Sequence, residues 1–536
     1  MDRRSFREHL RFLYEGGLEL ARAQPRVAAM LGGLSYDPDV ERLLEGIAFI
    51  TSKIGERQAK SLDEVCQLLF DTLFPHYLAP LPATTILQLE QPTTASPRVV
   101  ARGPTGDSLP VLGTACHFRT AFDVELSALR LEEVLWQPNG PSTTLELRFA
   151  AGAWLTRPPA RDRVALHLHG EPLLTRSLYE WLLRAVDRIE LVDARGRPLA
   201  LTALRPVAIG FGEDEALLDY PSGSFPGFRL LQEYFTLPQK FLFVALDGVW
   251  AELQRAGLAG GERFGLRLTL RASAESLVVT PQNLRLGCTP AANLFAHGAD
   301  PVLRTPARMD YRVRPSGPHL HYDTVRVLEV SGFSRARGRR DYRLLSEADL
   351  TRSEGAVCQL QRRLVGRELQ SYLCVYDTAG ELPTEETLTI DLLCSNGYLP
   401  TALGVGDIRT PSGVGGELAC TNLQPPTRPQ PPPVGEDLRR RLVRHMALSQ
   451  RELTALDALR EALALYDFRL IYDLAARRAH AQLDRGLREA QTTTLLHRHR
   501  GVPLWGQSTL LAVDESAFTP GELHLLGSVL SELLAL

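Results

Sequence analysis

Lysine is nearly missing from this 536-residue chain. Only Lys53, Lys60 and Lys240 stand among 60 basic residues, the rest being arginines. A GC-rich gene is sufficient cause, but arginine also makes planar, bidentate contacts and is enriched at protein interfaces. An excess of one charge is missing too. The formal net charge of −3 argues against a bulk nucleic-acid binder, which is usually strongly basic. The seven cysteines (Cys66, Cys116, Cys288, Cys358, Cys374, Cys394, Cys420) are scattered, odd in number and without a C-x-x-C pair. Neither a disulfide framework nor a zinc knuckle is expected, and most read as small buried hydrophobes. No apolar run approaches the ~18 residues of a membrane span. The opening MDRRSFREHLRFLYEGG has no apolar core of signal-peptide length. A cytoplasmic protein is expected, reaching a membrane only indirectly, through partners.

Catalytic groupings are also lacking. There is no G-x-S-x-G elbow, Walker-type phosphate loop, H-E-x-x-H or EF-hand loop. Three His-x-His pairs (His167/His169, His319/His321, His497/His499) would each face one side of a strand, but none has an acidic or cysteine partner in a recognised pattern. The acidic trio Glu213, Asp214 and Glu215 reads as a helix-start or surface feature. The arginine-rich Ser334–Arg343 reads as a hairpin tip or protein-binding loop. No catalytic, cofactor-binding or metal-binding residue is expected.

What is present fits a soluble multidomain α+β protein: 44% hydrophobic and 23% charged residues, with length for about two to four domains. Residues 1–82 read as a helical region. Within it Asp37 is a candidate N-cap with Pro38 at the first helical position. Val40, Leu43, Ile47, Ile50 and Ile54 follow a 3-4-3-4 spacing, a two-heptad seam that Leu44 and Phe49 widen. A separate helix is expected from Leu62 to Phe74. Period-two patterning begins near Thr84, in CHFRTAFDVEL (Cys116–Leu126), TTLELRF (Thr143–Phe149), VALHLH (Val164–His169) and RFGLRLTLRA (Arg263–Ala272). One helix is expected over Leu173–Val186. The expected divisions are a β-rich middle domain with embedded helices (83–310), a second β-rich domain (311–423), a proline-rich linker (424–437) and a C-terminal α/β domain (438–536).

The densest packing unit is GFGEDEALLDYPSGSFPGFRLLQEYFTLPQKFLF, Gly210–Phe243. Ser224 is expected to cap a helix carrying Pro226 in its first turn. Phe228, Leu231 and Phe235 lie on one face of it, and Pro238 ends it. Phe241–Leu246 is apolar on both faces, as in a doubly covered strand.

This string resembles the segment EALLPY…GYRLLQEYF…P-K-F of the TssF (VasA/ImpG) family, baseplate subunits of the bacterial type VI secretion system, a phage-tail-like contractile injection machine. Further segments resemble that family in the same order: DPDVERLLEGIAFI (Asp37–Ile50), LFPHYLAPLP (Leu73–Pro82), CHFRTAFDVEL, LGCTPAANLF (Leu286–Phe295), CSNGYLP (Cys394–Pro400) and Leu459–Asp467. The matching motif positions are Asp37, Pro38, Glu41, Arg42, Gly46, Arg119, Glu215, Tyr220, Gly227, Arg229, Gln232, Glu233, Tyr234, Phe235, Pro238, Lys240, Phe241, Asn293, Leu294 and Phe295, which the resemblance makes structural. The chain departs from the family after the linker. Arg440–Ser449 lacks the usual tryptophan and asparagine, glycine follows Asn396 where arginine is usual, and the sequence ends at Leu536, before the family's S-I-N-S-F-type tail.

The resemblance implies a structural, non-enzymatic wedge subunit. Two TssF copies would pair with one TssG, recruit TssE and TssK, and surround a VgrG spike to start tail tube and sheath assembly. It also implies a helical core bundle shared among chains, to which the Val40–Ile54 seam is suited. A closed bundle within the chain fits the same spacing. Two other readings stand beside this one: a wedge of a related phage-tail-like injection system, and a β-sandwich carbohydrate-active protein.

Overall fold

The computed structural model describes the chain apart from residues 1–2, 24–37, 93–96, 104, 127–128, 152–160, 222–223, 259–262, 274–276, 336–337, 346–355, 366–367, 378–384, 413–417, 436 and 500–501. Asp37 lies outside the described residues, as do the side chains of Pro38 and Val40.

Two helices open the chain, Arg3–Ala23 and Pro38–Leu73. The second runs unbroken for 36 residues, about 54 Å at 1.5 Å per residue. The separate helix expected from Leu62 is therefore its second half. No proline interrupts Asp39–Leu73, and the polar run Ser52–Ser61 is a stretch of the same helix rather than a gap.

The β-rich middle is built of four larger sheets, so the fold is α+β and multidomain. A six-stranded sheet pairs Thr84–Glu90 with Cys288–Ala292 on one side and Ala419–Asn422 on the other. Five-stranded and four-stranded sheets centre on Arg263–Leu270 and Phe243–Asp247. An eight-stranded sheet holds Asp323–Ser334, Ala356–Val365 and Glu386–Ser395. Pairing cut two sequence expectations short. CHFRTAFDVEL is two strands, His117–Thr120 in the six-stranded sheet and Val124–Leu126 against Arg98–Val100. The helix expected over Leu173–Val186 is Pro172–Glu180 plus a π turn, because Val186 already begins a strand registered on Arg263–Leu270.

The largest core draws together Cys66, Phe70 and Tyr77 from the N-terminal region, Leu145, Leu231 and Phe264 from the middle, and Leu459, Tyr466 and Leu530 from the C-terminal region. The proline-rich stretch is extended and pinned along this joint. Gln430 and Leu81 exchange backbone hydrogen bonds at 2.9 Å, and the Thr427 amide donates to Thr84 O at 2.8 Å.

Candidate functional site

The helix Pro226–Thr236 is buried on nearly every side and carries charge into the core. Glu233, Lys240 and Arg229 are almost wholly buried. Glu233 Oε1 accepts from the amides of Leu217 and Leu218 at 2.8 and 3.0 Å. Its Oε2 accepts from Lys240 Nζ, which also donates to Gly210 O at 2.6 Å. Arg229 Nη1 lies 3.4 Å from both Glu233 oxygens, and its Nη2 reaches Phe211 O and Gly212 O. Burial pushes the Lys240 ammonium below its usual range, while the Glu233 carboxylate opposes that shift. Glu215 turns back to accept from the amides of Gly210 and Gly212. Gly210 sits at φ +108°, where an added Cβ would lie 2.7 Å from Lys240 O. Glu233, Lys240, Arg229 and Glu215 together hold Gly210–Leu218 to the helix, and the arrangement is a lock.

Ser224 does not cap that helix. Phe225 occupies the N-cap position and the Ser224 hydroxyl has no partner. Pro226 is the first helical residue, so the serine stands one position too early for its oxygen to reach the first free amides. At Gly227 a Cβ would come within 2.6 Å of Leu533, so the missing side chain lets the C-terminal helix approach. Tyr234 and Phe235 stack edge to face, and Arg469 lies over Phe235. Pro238 and Phe241 bound the 3-10 turn that carries Lys240, and the strand itself begins at Phe243.

Motifs far apart in sequence meet at two joints. In the first, Tyr220 donates to Gln232 Oε1 and stacks on His76 at 4.5 Å. His76 Nε2 pairs with the Tyr466 hydroxyl at 3.0 Å, and Phe228 stacks on Tyr466. Tyr77 donates to Leu465 O and contacts His445. In the second, Asn293 and Asn396 bond twice: Asn293 Nδ2 to Asn396 Oδ1 at 2.8 Å, and the Asn396 amide to Asn293 Oδ1 at 2.6 Å. Asn293 Nδ2 also donates to His117 O. Leu294 enters a neighbouring core, Phe295 packs on His117, and Arg119 pairs with Asp219 at 2.9 Å.

The first joint is the base from which the long helix extends. Phe70 stacks on Tyr77 and meets His445. Gln67 behaves as a borrowed strand residue: its Nε2 donates to Arg362 O at 2.7 Å and its Oε1 accepts from the Arg362 amide at 2.9 Å. Asp71 accepts from Gln359 at 2.6 Å, and burial raises its carboxyl to about 6. Glu64 pairs with Arg363, and Asp63 with Arg439.

The other end of the helix carries the seam. The N-terminal helix lies antiparallel to it, His9 beside Gly55 and the Tyr14 hydroxyl 3.5 Å from the Glu41 carboxylate. Ala48 and Ser52, on that same face, are buried. Residues advance 100° each around a helix, which sets Leu43, Ile47, Ile50 and Ile54 on the opposite face within one narrow stripe. All four are exposed, Leu43 at 63% and Ile50 at 58%. Phe49 is exposed on another side, Leu44 is half-buried, Arg42 is exposed, and Gly46 faces open space. Further exposed apolar side chains follow beyond the sequence motif: Val65 and Leu68 in line with the stripe, and Leu62, Leu69 and Leu73 turned away from it. Sequence reasoning assigned those residues to a separate helix and so missed the continuation of the stripe. The 3-residue step from Val65 to Leu68 was the available sign.

Among the described residues there is no group of three or more histidine, cysteine, aspartate or glutamate side chains placed to hold a metal, and no helix long and apolar enough to cross a membrane.

The described residues thus combine an exposed apolar seam on a long helix with a body in which the buried charges of Glu233, Lys240 and Arg229 engage one another. The chain matches the family described as "Type VI secretion system, TssF" over residues 3–536, and it belongs to that family. It is 28% identical over 604 residues to the type VI secretion system component TssF1 of Pseudomonas aeruginosa, spanning 99% of this chain and 93% of the relative. A solved structure of the type VI secretion system TssK-TssF-TssG baseplate subcomplex contains a chain with TM-score 0.78 and 26% identity, matched over 92% of this chain and 93% of that one. A chain from another solved type VI baseplate complex has TM-score 0.57 at 21% identity, covering 99% and 93%.

Proposed function

We propose that this chain is a structural wedge subunit of a type VI secretion baseplate that joins its partners through the exposed seam of Pro38–Leu73. The supporting observation is the stripe Leu43, Ile47, Ile50 and Ile54, left uncovered by the chain's own N-terminal helix. Contiguous apolar surface of this kind belongs to interaction sites in soluble proteins. Val40, Leu44 and Phe49 complete the proposed contact surface. TssG and TssK are the first partners, as in the related TssK-TssF-TssG subcomplex. The finer arrangement has two copies of this chain per TssG, with TssE, around a VgrG spike in the cytoplasm beside the inner membrane. Its working units are a bundle region (1–82), β-rich domains (83–310 and 311–423), the proline-rich connection (424–437) and a C-terminal domain (438–536). The role is mechanical, holding tube, sheath and spike in register, and needs neither catalysis nor cofactor.

Co-expression with TssG tests this reading. The purified complex is expected to weigh as two copies of this chain and one TssG, and Ile47→Asp with Ile50→Asp to abolish co-purification while leaving the chain soluble. An unchanged yield of complex from the soluble variant overturns the seam assignment.

A further inference from the structure

The antiparallel ribbon Leu487–His499 with Val502–Val513 has no part in the seam or in the locked body. It is rooted at its base, where Leu487 joins the main core and Leu511 and Val513 pack against it. Beyond the root, residues 491–496 and 505–508 are all exposed. Twelve residues of strand span about 40 Å, so the ribbon is an arm.

Its residues are not those of an idle loop. Leu495 and Leu496 are neighbours in a strand and point to opposite faces, yet both are exposed. Leu496 stands opposite Trp505, which is 76% exposed, and Leu510 stands opposite Gln491, on the Leu495 face. Both faces therefore carry bare apolar groups, and a two-stranded ribbon also has two unpaired edges. Such a ribbon is marginal in water alone. The stretch 490–512 contains His497, Arg498, His499 and Arg500 and no aspartate or glutamate, in a chain where acids outnumber bases 63 to 60.

We propose that this ribbon is a docking arm that inserts into an acidic groove on another protein subunit of the assembled machine. A groove is required because a flat surface would cover one apolar face and leave the other in water. Acidity in the groove follows from the acid-free, arginine-bearing distal half. A protein groove is favoured over lipid because Thr494, Gln507 and Ser508 need side-chain hydrogen-bond partners once buried, and hydrocarbon offers none. The proposal rests on the assembly reading only in requiring a neighbouring subunit; the arm and the seam are separate surfaces.

The test uses the full chain in purified complex with TssG and TssK, carrying a photo-crosslinking residue at position 495 or 505, with phosphatidylglycerol vesicles present. Both positions are expected to capture the same subunit, at peptides rich in aspartate and glutamate. Arg498→Glu is expected to lower both yields about tenfold at low salt. The combined variant Leu495→Ser, Leu496→Ser and Trp505→Ser is expected to keep TssG bound, which separates this outcome from failure of the seam. Capture of lipid, of a second copy of this chain alone, or of nothing overturns the proposal, as does indifference to Arg498→Glu.

Discussion

Two cations, Arg229 and Lys240, share the single carboxylate of Glu233 inside the core. Removing one member of a buried pair strands the other without solvent and costs about 3–5 kcal/mol. Lys240→Met and Glu233→Gln are each expected to lose stability on that scale in urea titration. The double variant is expected to lose less than the sum, because Lys240 and Glu233 no longer strand one another and only Arg229 is left without its carboxylate. Part of this was legible: Arg229 and Glu233 stand four apart, and Lys240 is one of only three lysines. That all three are inside was not, because the amides of Leu217 and Leu218 that make a buried carboxylate tolerable come from a loop the helix meets only in the fold. Asp71 gives a second prediction. Burial raises its folded carboxyl to about 6, above the usual aspartate range, so the folded state holds the proton more tightly. The stabilisation from that proton is full below about 4 and is lost as pH rises through about 6. Asp71→Asn is expected to remove this loss and raise stability at neutral pH by up to about 3 kcal/mol, read from unfolding midpoints at pH values on either side of the window.

At the scale of the element, the long helix has two unlike halves. The first presents its apolar stripe to solvent; the second is clamped by Gln67 to the edge of Ala356–Val365 and by Phe70 to the aromatic joint. Gln67→Ala leaves the Arg362 amide and carbonyl without these partners, each worth about 1–3 kcal/mol when buried. The expected result is faster hydrogen exchange in Pro38–Leu73 and at the Arg362 amide, with the rest of the eight-stranded sheet unaffected. Ile47→Asp and Ile50→Asp touch only exposed positions, so the isolated chain is expected to keep its stability within about 0.5 kcal/mol while losing partner binding. The 3-4-3-4 spacing made the seam readable, since one stripe of a helix is a local property. Which stripe the N-terminal helix would cover was not readable, because the same spacing suits a closed bundle and an open one. The helix expected to start near residue 62 is the continuation of a polar stretch of the same helix, and the serine cap stands one residue too early.

Across the whole molecule, histidine sets the response to acid. Burial lowers His76 and His167 to about 3 and His445 to about 4, so all three are neutral in the fold. The unfolded chain takes up protons near 6.5 that the folded chain refuses. Stability is therefore full above about 6.5 and falls as the pH drops toward 3, by at most about 1.4 kcal/mol per pH unit for each histidine. Asp71 and Asp323, raised by burial, run the other way, while His169, His480 and His524 are lowered like the first three. Thermal midpoints measured from about pH 7.5 downward are expected to fall, with His76 and His445 making the joint beneath the long helix an early part to loosen. The amino-acid sequence by itself determined the class of fold, the family and the stripe of the seam, because strand period, helix period and ordered motifs are written residue by residue. Only the tertiary structure decided which of those motifs are locks and which are open surfaces. Asn293 and Asn396, or Tyr220 and Tyr466, acquire their meaning by meeting across hundreds of residues, and burial follows from that meeting. The same holds for the ribbon of Leu487–Val513, whose apolar residues on both faces the fold leaves without cover beyond the root.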